Sequence, residues 1–303
     1  MNAKIRIGII GAGLMGHGIA QVFAVHGHPV RVFDTSAEAL AALRDKVRKN
    51  LVDLGLDVAA AERIEPCPTI AGTVRDAAVV FECGPENLAI KQRIFAEVES
   101  HAPQSAILAS NTSVMPITDI MAGLKYPERA LGTHWWNPPY LVPLVEVIRT
   151  ADTGDAAVDA VTELLKAAGK TPVTVRKDVA GFVGNRLQHA LWREAIALVQ
   201  DGVCDAETVD TVVKASFGRR LAVLGPLENA DLVGTDLTLA IHQTVLPDID
   251  RTPGPSPYLE GLVRDGKLGM KSGEGFRRWT PEQQAELRGR VLSYLKSLNE
   301  QGI

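Results

Sequence analysis

Three cysteines in 303 residues, Cys67, Cys83 and Cys204, are far apart, odd in number and without metal-ligand spacing. They fit a reducing compartment better than a disulfide scaffold, so a cytoplasmic protein is expected. Basic charge is not in excess either: 32 Lys and Arg stand against 36 Asp and Glu, a formal net charge of −4. The electrostatic footprint of a nucleic-acid partner is therefore missing. No long apolar run is present. "MNAKIRIGIIGAGLMG" imitates a secretory signal, with Lys4 and Arg6 ahead of apolar residues, but glycines cut the run short and a buried strand explains it better. No stretch approaches membrane-span length, and no membrane association is expected. Aromatics make up only 5% of the chain, yet two of its four tryptophans are adjacent, at Trp135 and Trp136.

The apolar fraction of 46% with 22% charged residues is the balance of a soluble globular protein, long enough for two domains. Short apolar runs alternate with amphipathic stretches up to about residue 177. Ile5 to Ile10, Val30 to Phe33, Ala78 to Glu82, Ala106 to Ala109, Ala130 to His134, Val145 to Ile148 and Val173 to Val175 read as strands. "SAEALAALRDKVRKNLVDL" and "NLAIKQRIFAEVES" repeat their apolar residues at three and four, as helices do. The alternation predicts βαβ units and a parallel sheet covered on both faces. From Gly181 onward only helical periods are evident, "NRLQHALWREAIALVQDG" above all, with no convincing strand. The expectation is an α/β protein: a Rossmann-type doubly wound domain over 1–178, then a smaller all-α domain over 179–303 for substrate binding and dimerisation.

"KIRIGIIGAGLMGHGIA" sets Gly11, Gly13 and Gly16 between a strand and a helix. The first glycine permits a tight turn, the second admits a pyrophosphate to the backbone, and the third lets helix and strand pack closely. Leu14 and Met15 open the helix. Asp34 ends the next strand, eighteen residues past Gly16, where a carboxylate would bond the adenosine ribose diol and repel a 2′-phosphate. NAD is the expected cofactor. Asp34 also reads as a helix N-cap ahead of "TSAEAL". The H-x-H pair His26 and His28 has no third ligand in view, and no metal is expected.

"GTHWWNPPYLVPLVEVI" brings a histidine, His134, and a carboxylate, Glu146, onto neighbouring strand candidates, with Pro138, Pro139 and Pro143 turning the chain between them. Alcohol oxidation with a nicotinamide needs a base for the hydroxyl proton, and a carboxylate on one ring nitrogen fixes the imidazole tautomer. Trp135 and Trp136 are expected to wall this site and the sheet behind it, one facing each way by strand alternation. Taken singly, Glu146 reads equally as an edge-strand charge, Asn185 as a helix N-terminal residue and Ser113 as a cap for "PITDIM".

Together with "ECGPENLAIKQ", "SNTSVMPI", "DVAGFVGNRL", "LGPLENADLVGTD" and "KSGEGF", these stretches resemble the L-3-hydroxyacyl-CoA dehydrogenase family, in the family's order and over essentially the whole chain. The resemblance implies NAD-dependent oxidation of an L-3-hydroxyacyl-CoA or related 3-hydroxy acid to the 3-keto compound, a place in fatty acid metabolism, and a homodimer. It implies catalytic roles for His134 as base, Glu146 as its orienter, and Ser113 and Asn185 on the reacting oxygen. Asn137 matches a further polar residue of the site. Glu86, Lys91 and Asn111 fall on the cofactor side, near the nicotinamide ribose.

The stretch from Asp34 to Glu86 is short for a CoA-holding helical arm, although Arg44, Lys46, Arg48 and Lys49 are basic. "NPPY", "VAGFVGNRLQHAL" and "GRRLAVLGPLE" resemble the branch acting on small free acids, L-gulonate 3-dehydrogenase and lambda-crystallin among them, and a pyridine-carboxylate dehydrogenase is similar. In that setting Arg219 and Arg220 are candidates for a substrate carboxylate, or a solvated basic pair. Two competing readings are a lysine-based dehydrogenase of the 3-hydroxyisobutyrate type, with Lys177 as its acid–base group, and a non-catalytic NAD-binding protein.

Overall fold

A computed structural model describes residues 4–301. The chain divides into two compact units, Met1–Arg186 and Leu187–Ile303. The division falls beyond Asp178 because the segment after it is fastened to the first unit. Asp178 accepts hydrogen bonds from the backbone N and Oγ1 of Thr118, Gly181 N donates to the Val114 carbonyl, and Phe182 is fully buried.

The first unit is built on one eight-stranded sheet of order β3-β2-β1-β4-β5-β6-β7-β8. Its strands are β1 (Ile7–Ile10), β2 (Val30–Phe33), β3 (Ile64–Cys67), β4 (Val79–Glu82), β5 (Ile107–Ser110), β6 (Ala130–Trp135), β7 (Leu144–Ile148) and β8 (Thr171–Val175). All neighbouring pairs are parallel except β6 with β7. Seven of these strands were expected. β3 was not, because "IEPC" has a proline and little apolar length. Both prolines found in strands, Pro66 in β3 and Pro172 in β8, lie at the two edges, where a missing N–H costs no ladder bond.

The helices of this unit are α1 (Leu14–Val25), α2 (Ala37–Ala41), α3 (Leu43–Asp53), α4 (Ile70–Val74), α5 (Leu88–His101), α6 (Ile117–Met121), α7 (Asp155–Ala167) and the start of α8 (Gly184–Gln200). They cover both sheet faces, and the alternation along each strand shows it. Ile7, Ile9, Val79 and Phe81 join Phe23, Leu43 and Leu165 in one core, while Ile10, Val80 and Leu108 join Phe95 and Ile117 in the other. Strands buried on both faces explain the continuous apolar runs. The chain reverses direction of winding between β1 and β4, so the crevice at their carboxyl ends is where an open α/β sheet receives a ligand.

The second unit continues α8 and adds α9 (Ala206–Ala215), α10 (Pro226–Val233), α11 (Thr235–Val245), α12 (Pro257–Arg264) and α13 (Pro281–Gln301). It is helical throughout apart from isolated bridges near Gly269 and Glu274. Among its described side chains only Leu262 is buried.

Candidate active site

The glycine-rich turn has the geometry its spacing requires. Gly11 takes φ +111°, and a Cβ there would lie 2.6 Å from the Cys83 carbonyl oxygen; one on Gly16 would lie 1.8 Å from the Gly11 oxygen. Gly13, by contrast, faces open space, and the first turn of α1 has no side-chain cap. Its N–H groups are thus free for an anion. Leu14 is exposed beside it and Met15 is half-buried against the core.

Asp34 is not the cap of the next helix. Ser36 is, accepting from Ala39 N, while Asp34 accepts from Ser36 N at 2.8 Å and from Ala12 N at 2.6 Å. The carboxylate therefore stands beside the glycine turn. It lines a groove of about 740 Å³ with Gly11, Gly13, Phe33 and Ile94. Open N–H groups, a carboxylate at the second strand and an adjoining apolar groove fit a dinucleotide such as NAD.

At the other end of the sheet, β6 and β7 place His134 directly opposite Glu146 in antiparallel register. Facing positions on one sheet surface bring side chains together, and His134 Nδ1 lies 2.6 Å from Glu146 Oε2. Both are buried, at 3% and 1% exposure. The other carboxylate oxygen accepts from Val183 N at 2.9 Å and Gly184 N at 3.1 Å, at the start of α8. Burial works to raise the Glu146 carboxyl, but the bonds from His134, Gly184 and Val183 outweigh it and hold it below the usual carboxylate range. An ionised Glu146 can only accept, so Nδ1 carries a hydrogen, and in the neutral imidazole the lone pair falls on Nε2.

Trp136 lies against the dyad, with ring centroids 5.1 Å from His134. A Cβ on Gly184 would come within 2.5 Å of its ring, which is why "GFVGNR" needs a glycine there. Trp135 faces the other way, 2% exposed among Phe23 and Phe81, under the Lys170 ammonium. Lys170 donates to the carbonyls of Pro139 and Val142 and so ties down the β6–β7 connection; burial lowers its ammonium to about 8. Asn137 is exposed at the start of that connection, where the Asn137–Pro138 peptide is cis.

The loop after β5 joins these parts. Asn185 Nδ2 donates to the Ser113 carbonyl at 2.7 Å, so the two residues expected on the reacting oxygen are adjacent. Ser113 does not cap the following helix, whose N-cap is Pro116. Glu86 accepts from Thr112 Oγ1 at 2.7 Å and Ser113 N at 3.0 Å. Asn111 Oδ1 accepts from Trp135 N.

Lys91, expected on the cofactor side, stands at the carboxyl end of β4 beside the glycine turn. It is fully buried, its ammonium enclosed by both oxygens of Glu82 and the Asn111 carbonyl. Sequence reasoning missed Glu82 and Thr112; the one available signal was an acid ending the apolar strand "VVFE". Arg219 and Arg220 lie in the second unit, at a short turn over Phe217–Arg219, and both are exposed. His26 and His28 each place Nδ1 on a backbone carbonyl, of Val22 and Ile5.

A doubly wound sheet with this nucleotide end defines a dinucleotide-binding protein, and the comparisons make it an oxidoreductase acting on CH–OH groups. The family model described as 3-hydroxyacyl-CoA dehydrogenase, NAD binding domain, matches residues 6–179, and that for the C-terminal domain matches 181–279. The chain belongs to the 3-hydroxyacyl-CoA dehydrogenase family. It is 36% identical over 286 residues to 5-formyl-3-hydroxy-2-methylpyridine 4-carboxylate 5-dehydrogenase of Mesorhizobium japonicum, covering 93% of each chain. It is likewise 36% identical to a probable 3-hydroxybutyryl-CoA dehydrogenase of Deinococcus radiodurans, over 91% of this chain and 100% of that one. Among solved structures, a pyridine-carboxylate 5-dehydrogenase described as an NAD+ dependent dismutase superposes with TM-score 0.91 at 35% identity, covering 98% of both chains. The (S)-3-hydroxybutyryl-CoA dehydrogenase of Ralstonia eutropha gives 0.77 at 32%, covering 92% of this chain and 100% of that one.

Proposed function

We propose that the chain oxidises the hydroxyl of an L-3-hydroxy acid, free or as its CoA thioester, to the keto compound, with His134 as the base. The observation that carries this is the His134–Glu146 pair, whose carboxylate is held from behind by α8 and whose outer nitrogen is free to accept. His134 Nε2 takes the hydroxyl proton as the carbon–oxygen double bond forms. Bound NAD supplies the acceptor for the hydride and its two electrons. Glu146 steadies the imidazolium that results, since its ionised form is favoured in place. Ser113 and Asn185 fix the substrate oxygen, and Trp136 keeps water from the reacting carbon. Asn111 and Glu86 border the cofactor side, and Asn137 the substrate side. His134→Ala should remove turnover, by about 10²-fold or more, with NADH binding within about two-fold; unchanged turnover in that variant refutes the assignment.

A second substrate reading, a small free carboxylate, is favoured by the charges on α3. Arg48 pairs with Asp45 and Glu62, and Arg44 with Glu62 and the Ile64 carbonyl, so two of the four cations are engaged within the arm itself. Arg219 and Arg220 are then the candidates for the substrate carboxylate. NAD reduction followed with a 3-hydroxyacyl-CoA, its free acid and a carboxylated aromatic alcohol distinguishes the two readings.

The protein is further proposed to work in the cytoplasm as a homodimer. Its cysteines are free thiols, and no described helix is long and apolar enough to cross a membrane. The second unit leaves Leu187, Leu191, Trp192, Leu237 and Leu239 exposed, apolar side chains that a protein–protein contact would cover. A second copy of the same helices would cover them. Light scattering should give twice 32.5 kDa; a single-chain mass refutes the dimer.

A further inference from the structure

The sheet face opposite the dyad carries a cation that the proton and hydride steps do not use. Lys170 follows Gly169 in the turn between α7 and β8, where Gly169 takes φ +71°. Its ammonium lies 5.9 Å from the ring centroid of Trp135 and donates to the carbonyls of Pro139 and Val142 at 2.5 and 3.1 Å. Among the described residues no carboxylate pairs with it, and burial alone lowers it to about 8. On the elements around it, α7 offers Lys166, which pairs with Glu163, and α1 ends in His26, beside Gly169. The connection itself offers Tyr140, whose phenol burial and Asp53 push up. His134 of β6 and Glu146 of β7 meet on the other face.

The β6–β7 connection is thereby clasped from two sides. On one, Lys170 holds two of its carbonyls and Thr171 N donates to a third, that of Pro143, at 2.9 Å. On the other it lies against α1, where a Cβ on Gly18 would come within 2.9 Å of the Pro139 ring. Within it, Leu141 N and Val142 N both donate to the Pro138 carbonyl at 3.0 Å. Bonds given by an ammonium are charge-assisted and weaken when the proton leaves. The clasp fixes how the chain departs from β6 at Asn137, three residues after His134.

We propose that Lys170 is a positioning residue for the substrate: while protonated, it holds the Pro138–Val142 connection so that Asn137 meets the substrate beside His134. Lys170 touches neither substrate nor cofactor. The inference rests on the dehydrogenase reading above, in which Asn137 borders the substrate side, and it adds an alkaline limit on substrate binding that the dyad does not impose.

The test compares wild type, Lys170→Met and Lys170→Arg at about pH 7 and about pH 9.5, with L-3-hydroxybutyryl-CoA and free L-3-hydroxybutyrate as substrates. Wild-type KM should rise about three-fold or more between the two pH values. Lys170→Met should show the raised KM already at neutral pH and no further rise, with kcat there within about three-fold and NADH affinity within about two-fold. Lys170→Arg, charged throughout, should keep KM low at both. Amide exchange over residues 137–143, followed by mass spectrometry at neutral pH, should quicken about five-fold or more in Lys170→Met. Should either variant fail to fold, the other, set against wild type, decides. A wild-type KM that does not change with pH overturns the proposal, as does an unchanged KM in Lys170→Met. A fall in NADH affinity as large as the rise in KM also overturns it, since a general loss of structure would do the same. If wild type oxidises neither substrate, the functional reading fails, and exchange decides this one: unaltered protection of 137–143 in Lys170→Met overturns it.

Discussion

Replacing Glu146 by glutamine tests the dyad with almost no change of shape. The native carboxylate serves three donors: His134 Nδ1 at 2.6 Å on one oxygen, and Val183 N and Gly184 N at 2.9 and 3.1 Å on the other. An amide has one acceptor oxygen and one NH2, so it cannot satisfy both sides. Turning its oxygen to His134 would set the NH2 against two backbone N–H groups and strand them, at roughly 1–3 kcal/mol each. Keeping the oxygen on Val183 and Gly184 instead presents the NH2 to Nδ1, which must then accept. Two stranded donors outweigh one altered tautomer, so the second arrangement wins. The proton moves to Nε2, and the base is blocked.

Turnover of Glu146→Gln should therefore fall by about 10²- to 10⁴-fold, roughly 2.7–5.5 kcal/mol of barrier. NADH affinity, measured by fluorescence titration, should remain within about two-fold, because the glycine turn and Asp34 are untouched. Initial-rate assays at saturating NAD check the first quantity. A kcat within about three-fold of wild type would refute the tautomer argument.

Acid stability follows from the same carboxylate. Its folded-state pKa lies below the usual 4.5, so the folded protein binds fewer protons than the unfolded chain as that value is approached from above. The stabilisation is complete above about pH 4.5 and is lost as pH falls through the folded value. Thermal melts between about pH 7 and pH 3 should show a shallower acid decline for Glu146→Gln than for wild type. Asp34→Ala should raise KM for NAD by about ten-fold or more, the worth of a charge-assisted hydrogen bond, and should narrow the preference over NADP. Gly16→Ala drives a methyl into the Gly11 carbonyl and should lower stability by about 1–3 kcal/mol, read from denaturant melts, with NADH binding weakened alongside.

The nucleotide end was legible because its information is local. Gly11, Gly13, Gly16 and Asp34 occur in order along one strand–turn–helix–strand unit, and backbone sterics fix what each glycine must do. The strands were legible where burial on both faces wrote them as unbroken apolar runs. β3 was not, since an edge strand needs neither a long apolar run nor every N–H. Trp135 and Trp136 could be assigned opposite faces from strand alternation alone, and they occupy them.

Register and partners were decided only in three dimensions. The sequence contained His134 and Glu146 as candidates, but the antiparallel pairing of β6 with β7 is what sets them opposite each other, and the turn into α8 supplies the N–H groups of Val183 and Gly184 that, with His134, hold the carboxyl low. Lys91 is a second case. Its position beside "PEN" marks it for the cofactor side, but that Glu82, at the end of β4, holds its ammonium is settled only where β4, β5 and α5 pack together. Spacing along a chain determines which side chains share a face; which faces meet depends on how sheet and helices pack, because a buried charge takes whatever partner that packing provides.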